Sequence, residues 1–214
     1  MSISPRLLAV PAALLALLTW QVAVDGPLLG WDERLSRALR HPDRFSELLS
    51  DLGNVQVAVP VLLVIAGYAA WWGRRAGERR WWGPAAAALA AMALVPLIVV
   101  PLKIWTDRPG TPAVPPATGY FPSGHTATAM IAYGGAVLVL LPWLRSARAR
   151  RTAVGVAVAL VAAVSYGLVR RGYHWPFDVL ASWCLGALLL AALRLTVVRI
   201  GAPKRSAGVL QSDE

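Results

Sequence analysis

Six apolar runs dominate this chain, each near the roughly 20 residues that one helix needs to cross a bilayer. They lie at about Leu7 to Val24, Val55 to Trp72, Trp82 to Leu102, Gly124 to Leu144, Ala153 to Val169 and Pro176 to Val198. In hydrocarbon a backbone must satisfy its own N–H and C=O groups, so such runs predict an all-α bundle of six transmembrane helices. A chain of 214 residues that is 57% hydrophobic and 15% charged reads as one integral-membrane domain over residues 1–214. The first run is read as a retained span, because Gln21-Val22-Ala23-Val24-Asp25 makes a poor signal-peptide cleavage site.

The formal charge of +10 points to topology rather than to nucleic acid. Arg74, Arg75, Arg79 and Arg80 fall between runs two and three, and Arg145, Arg148, Arg150 and Arg151 between runs four and five. The positive-inside rule puts both loops, and with them both termini, in the cytoplasm. The tail over 200–214, with Lys204 and Arg205, agrees. No basic-aromatic platform for nucleic acid stands outside the apolar runs. The tryptophans near the run ends form an interfacial belt, and Cys184, alone in an apolar run, is a packing residue.

Three segments remain for the opposite, extracytoplasmic side: Asp25 to Asn54, Lys103 to Pro122, and Arg170 to Trp175. In the first, Leu35, Leu39, Phe45, Leu48, Leu49 and Leu52 recur at helical spacing. They predict one short amphipathic helix over 31–52, resting at the interface as a connector rather than as a lid. The other two hold the chemistry. Pro122-Ser123-Gly124-His125 opens run four, where the first turn of a helix offers unpaired N–H groups and a positive dipole end to an anion. His174-Trp175-Pro176-Phe177-Asp178 opens run six, with Pro176 suited to a first helical turn. Asp178, four residues past His174, can accept from one imidazole nitrogen and leave the other free to attack. Lys103, Arg108, Arg170 and Arg171 lie on the side where the topology rule disfavours them, so anion binding is a natural reason for the set. The same bases would repel a metal cation, which argues against a zinc site built on the histidines and aspartates.

These residues resemble the type 2 phosphatidic acid phosphatase family, the lipid phosphate phosphatases. Its three motifs run Lys-x6-Arg-Pro, Pro-Ser-Gly-His and Ser-Arg-x5-His-x3-Asp. Pro122 to His125 match the second in full, and His174 and Asp178 match the end of the third. The likeness covers Lys103 through run six, with the core motifs over 103–178. Two departures stand out. Arg108-Pro109 comes two residues early relative to Lys103, and the third motif's Ser-Arg falls on Gly167-Leu168. On an ideal helix Arg171 lies about 60° from Leu168 and Arg170 about 160° away, so Arg171 is the better substitute.

The resemblance implies metal-independent hydrolysis of a lipid phosphate or diphosphate, with no cofactor, through a phosphohistidine intermediate. His174 would be the nucleophile, Asp178 its orienting carboxylate and His125 the general acid. Lys103, Arg108, Ser123, Gly124, Arg171 and Arg170 would hold the phosphoryl oxygens. The expected partners are the bilayer and a lipid phosphate. A polyprenyl phosphate or diphosphate is favoured over phosphatidate or phosphatidylglycerol phosphate. The other readings are a non-catalytic binder of lipid phosphates and a transporter. A transporter predicts charges deep within the runs, whereas here they cluster at the ends, Arg194 excepted.

Overall fold

The computed structural model describes residues 5–201, so the expected cytoplasmic tail lies outside the described residues beyond 201. Helices α1 (Pro5–Ala23), α2 (Leu29–Leu39), α3 (Arg44–Asp51), α4 (Val55–Arg75) and α5 (Gly83–Thr106) come first. The fourth apolar run is helical from Gly124 to Trp143. It divides into α6 (Gly124–Ala129), a π turn at Met130–Gly134, α7 (Gly135–Leu140) and a 3-10 turn at Leu141–Trp143. The chain closes with α8 (Ala147–Arg171) and α9 (Pro176–Gly201). The described residues are thus all helix and connection, as the apolar runs require. Five spans are long and apolar enough to cross a membrane, and Leu8–Ala23 is a shorter apolar helix packed against α9.

The Gly124–Trp143 span is the centre of the bundle. It is 61% buried, against 22–33% for the other four spans. The lining of that centre, including Leu62 of α4, Ala88 of α5, Ile131 and Val139 of the central span, and Val164 and Leu168 of α8, is buried on every side. Gly134 lets α9 approach, since a Cβ there would sit 2.6 Å from Leu190. The π turn carries Tyr133, whose hydroxyl donates to the Leu52 carbonyl at 2.6 Å and ties the central span to the end of the α3 segment. Local widenings of this kind recur at functional sites.

Two local capping signals fix how α8 delivers the downstream motif. Ser146 caps its start by accepting from the Ala149 N–H at 3.0 Å. Gly172, at φ +80°, ends it in the left-handed conformation that favours glycine. The helix is therefore longer than the apolar run alone, and Arg170 and Arg171 form its last turn.

The Asp25–Asn54 segment corrects the expected single amphipathic helix. It is two helices, broken between Arg40 and Asp43, where Pro42 has no N–H to give and Asp43 starts afresh with a capping box. Their polar faces turn inward. Asp32, Ser36, Ser46 and Ser50 are buried, while Leu35, Leu39, Phe45 and Leu48 are exposed. Helix α3 lies directly on α8 at Gly167, where a Cβ would meet the Ser46 carbonyl and the Ser50 nitrogen at 2.6 Å.

Candidate active site

The two motif histidines meet at one end of the bundle, where α6 and α9 begin and α5 and α8 end. Their ring centroids stand 6.4 Å apart. His174 is buried and donates from Nδ1 to Asp178 Oδ2 at 3.1 Å. The same carboxylate oxygen accepts the Trp175 N–H at 3.1 Å, so Asp178 is locked across the first turn of α9. Pro176 opens that helix, as expected. With Nδ1 committed, Nε2 of His174 is the nitrogen left to react.

His125 is exposed, and its Nε2 donates to Asn54 Oδ1 at 2.8 Å. Asn54 in turn donates from Nδ2 to Asp51 at 3.0 Å, which fixes the amide so that oxygen faces the imidazole. Each histidine thus has an oxygen acceptor held in place by a further contact. Lys103, on the last turn of α5, donates to the Gly119 carbonyl at 2.5 Å. Its ammonium stands 5.9 Å from the Tyr120 ring, and that ring packs edge-on to His174 at 5.8 Å.

Ser123 and Gly124 divide the work of starting the central span. Ser123 is fully buried, caps α6 by accepting from the Thr126 N–H, and donates its own backbone N–H to the Asp178 carbonyl at 3.1 Å. Its carbonyl also accepts from the Ser182 hydroxyl at 2.8 Å, so α6 and α9 are stitched together at the site. Gly124 faces open space: nothing lies within 4 Å of where a Cβ would stand.

The three arginines expected at the phosphate are each already engaged with carboxylates. Arg108 is buried and bridges Asp178 at 2.5 Å and Asp32 of α2. Arg170 pairs with Asp43 at 2.9 Å, and Arg171 with Glu47 at 3.3 Å and with the Tyr173 hydroxyl. Arg171, the better substitute for the motif arginine on an ideal helix, is thus paired with Glu47, because α3 supplies acids beside the last turn of α8. Burial pushes the Asp32 carboxyl above its usual range, with the Arg108 guanidinium opposing that rise. The Ser46 N–H, with Arg170 behind it, holds Asp43 down at about 2.

Asp32, Asp43, Glu47, Asp51 and Asn54 carry no motif, and a reading built on apolar spacing passes over them. The signal was the opposite stripe: Asp32 and Ser36, and Ser46 and Ser50, recur four apart on the polar face. A cavity of about 590 Å³ lies at the other end of the bundle, bordered by Arg79, Arg80, Trp81, Trp143 and Arg199. No histidine borders it, so it is separate from this site.

A family model of the PAP2 superfamily matches residues 84–201, more than half of the chain, including Lys103, Arg108, both motif histidines and Asp178. The chain belongs to the PAP2 superfamily. That is the family of type 2 phosphatidic acid phosphatases its motifs resemble. Among solved structures it is similar to the transmembrane PAP2 type phosphatidylglycerolphosphate phosphatase from Bacillus subtilis. The TM-score is 0.71 at 24% identity, over 91% of this chain and 98% of that one, a likeness of fold. It is also 40% identical over 79 residues to an undecaprenyl-diphosphatase of Sulfolobus acidocaldarius. That match takes in 34% of this chain and about a third (32%) of the relative's length.

Proposed function

We propose that this PAP2 protein hydrolyses a lipid phosphate or diphosphate at the membrane surface, without a metal, through a phosphohistidine on His174. The observation that carries the reading is the buried Asp178–His174 pair at 3.1 Å with a second histidine ring 6.4 Å away. His174 Nε2 attacks phosphorus as the ester or anhydride P–O bond breaks, and His125 gives a proton to the departing oxygen. Water then attacks the phosphohistidine, His125 takes back a proton, the N–P bond breaks and inorganic phosphate leaves. General acid–base help of this kind contributes about 10²–10⁴-fold. Lys103 and the N–H groups at the open Gly124 turn supply the positive field for the phosphoryl oxygens. Phosphate competing for Arg170 and Arg171 must draw them away from Asp43 and Glu47.

A lipid substrate fits the setting. An apolar groove of about 360 Å³ between α8 and α9, bordered by Leu39, Tyr166, Val179 and Trp183, ends beside Arg170 and Pro176. A polyprenyl diphosphate or phosphate is the favoured substrate, on the strength of the undecaprenyl-diphosphatase relative. Phosphatidylglycerol phosphate, the substrate class of the structural neighbour, is the second. The arginine-rich loops between the spans support an extracytoplasmic site on the cell membrane, with both termini inside.

Purified protein in detergent with chelator present should release phosphate from one of these lipids in a substrate panel. His174→Ala should reduce turnover to background and leave no acid-labile phosphoprotein. Normal phosphate release by that variant would rule the mechanism out, and absence of release by the native protein from every lipid would favour a binder.

A further inference from the structure

The geometry points to Asp32 of α2 as a positioning residue for the His174 nucleophile, acting through Arg108 and Asp178. The inference deepens the proposed function and rests on its reading of His174.

Asp32 is wholly buried on a helix whose other acid, Glu33, is exposed. Its two oxygens have separate tasks. Oδ2 accepts from Arg108 Nη2, and Oδ1 accepts the Phe177 N–H at 2.9 Å, within the first turn of α9. Arg108 Nη1 donates to Asp178 Oδ1 at 2.5 Å, and Asp178 Oδ2 accepts from His174 Nδ1. The guanidinium is held from the side by the Trp175 ring, 5.4 Å away, and that indole donates to the Pro109 carbonyl at 3.0 Å. An unbroken, buried line of charge-assisted bonds therefore runs from α2 to the reacting imidazole.

The charges give the line its purpose. Arg108 alone beside Asp178 would neutralise the carboxylate that the imidazolium needs. A second carboxylate on the far side of the guanidinium occupies that charge and leaves a net negative group behind His174. It also fixes the fork of Arg108, which sets the plane of Asp178. The groups that face His174 are Asp178 of α9, the Tyr120 ring and His125 of α6; Lys103 stands behind Tyr120, and Arg108 with Asp32 behind Asp178. Substitution at Asp32 changes only the last of these directly.

Asp32→Asn keeps the shape and the acceptor for Phe177 while removing the charge. Its kcat should fall about 10–100-fold, the usual cost of losing an outer orienting partner. KM should change little, because Asp32 does not touch substrate. The acid limb of the kcat profile should move to lower pH, since the imidazolium loses a stabilising negative charge. Asp32→Glu, which keeps the charge but lengthens the arm, should lose kcat and retain the native acid limb. A folded Asp32→Asn protein with native kcat and native acid limb overturns the inference, even if its melting temperature falls, because Asp32 would then only tie α2 to α9. If Asp32→Asn does not fold, Asp32→Glu decides: native kcat, or a displaced limb, overturns it. Activity surviving in His174→Ala would instead defeat the reading of the nucleophile, so the two failures are distinct.

Discussion

At the scale of single residues, Gly167 and Leu168 explain why this chain departs from the third motif of its family. A serine at 167 would push its Cβ against backbone atoms of Ser46 and Ser50 that stand 2.6 Å from it, and backbone cannot swing aside as a side-chain tip can. Leu168 is 1% exposed within the central core. An arginine there would enter apolar surroundings without a partner. Overpacking of this kind costs about 1–3 kcal/mol, and an unpaired buried charge about 3–5 kcal/mol. Restoring the family residues as the double variant Gly167→Ser, Leu168→Arg should therefore lower stability by at least ~3 kcal/mol and reduce activity, measured by thermal unfolding in detergent and by phosphate release. An equally stable and more active double variant would show that α3 can yield its seat. The same residues mark the limit of reading by motif. The His174–Asp178 pair was legible because a four-residue separation at a helix start already fixes its geometry. The fate of the arginines was not, because it depends on which acids of α2 and α3 fold over them from more than a hundred residues away in the case of Arg170.

At the scale of elements, five membrane-length helices and the shorter apolar Leu8–Ala23 were legible in the apolar runs, and the α2–α3 segment was only half so. Its helical spacing was visible, but the apolar stripe faces outward and the polar stripe faces the protein, since the surface it covers is itself charged and small. Pro42 and the Asp43 capping box then divide it where a continuous helix was expected. That cap has a measurable pH signature. Asp43 is held at about 2 in the fold against an ordinary 3.8, chiefly by the Ser46 N–H and then by Arg170. A carboxylate depressed on folding stabilises the fold fully above its unfolded value, and the contribution is lost as pH falls toward the folded one. Thermal unfolding of the native protein and of Asp43→Asn should therefore differ most above pH ~4, the native protein being the more stable. The two should converge between pH ~4 and ~2. A difference that stays constant across that window would mean that the ionised cap contributes nothing to holding α3.

At the scale of the whole molecule, the two ends of the bundle are built on opposite electrostatic plans. The histidine end sets its bases against acids: Arg108 against Asp32 and Asp178, Arg170 against Asp43, Arg171 against Glu47, Arg37 against Glu33. The other end has arginine-rich loops in which Glu78 is the lone acid between Gly73 and Gly83, and in which no acid stands between Leu144 and Thr152. Short loops rich in arginine are those retained in the cytoplasm. Arg108 has a local reason to lie on the other face, because the buried carboxylates of Asp32 and Asp178 need a cation wherever they sit. Sidedness follows as a prediction that a lone buried cysteine makes easy to test. In a Cys184→Ala background, single cysteines replace His41, on the exposed connection between α2 and α3, and Arg79, in the exposed loop after α4. A membrane-impermeant maleimide added to intact cells should label His41→Cys and leave Arg79→Cys untouched until the cells are opened. The reverse pattern would put the histidines in the cytoplasm. A phosphatase so placed would draw its lipid phosphate from the cytoplasmic leaflet, and the extracytoplasmic site proposed above would be wrong.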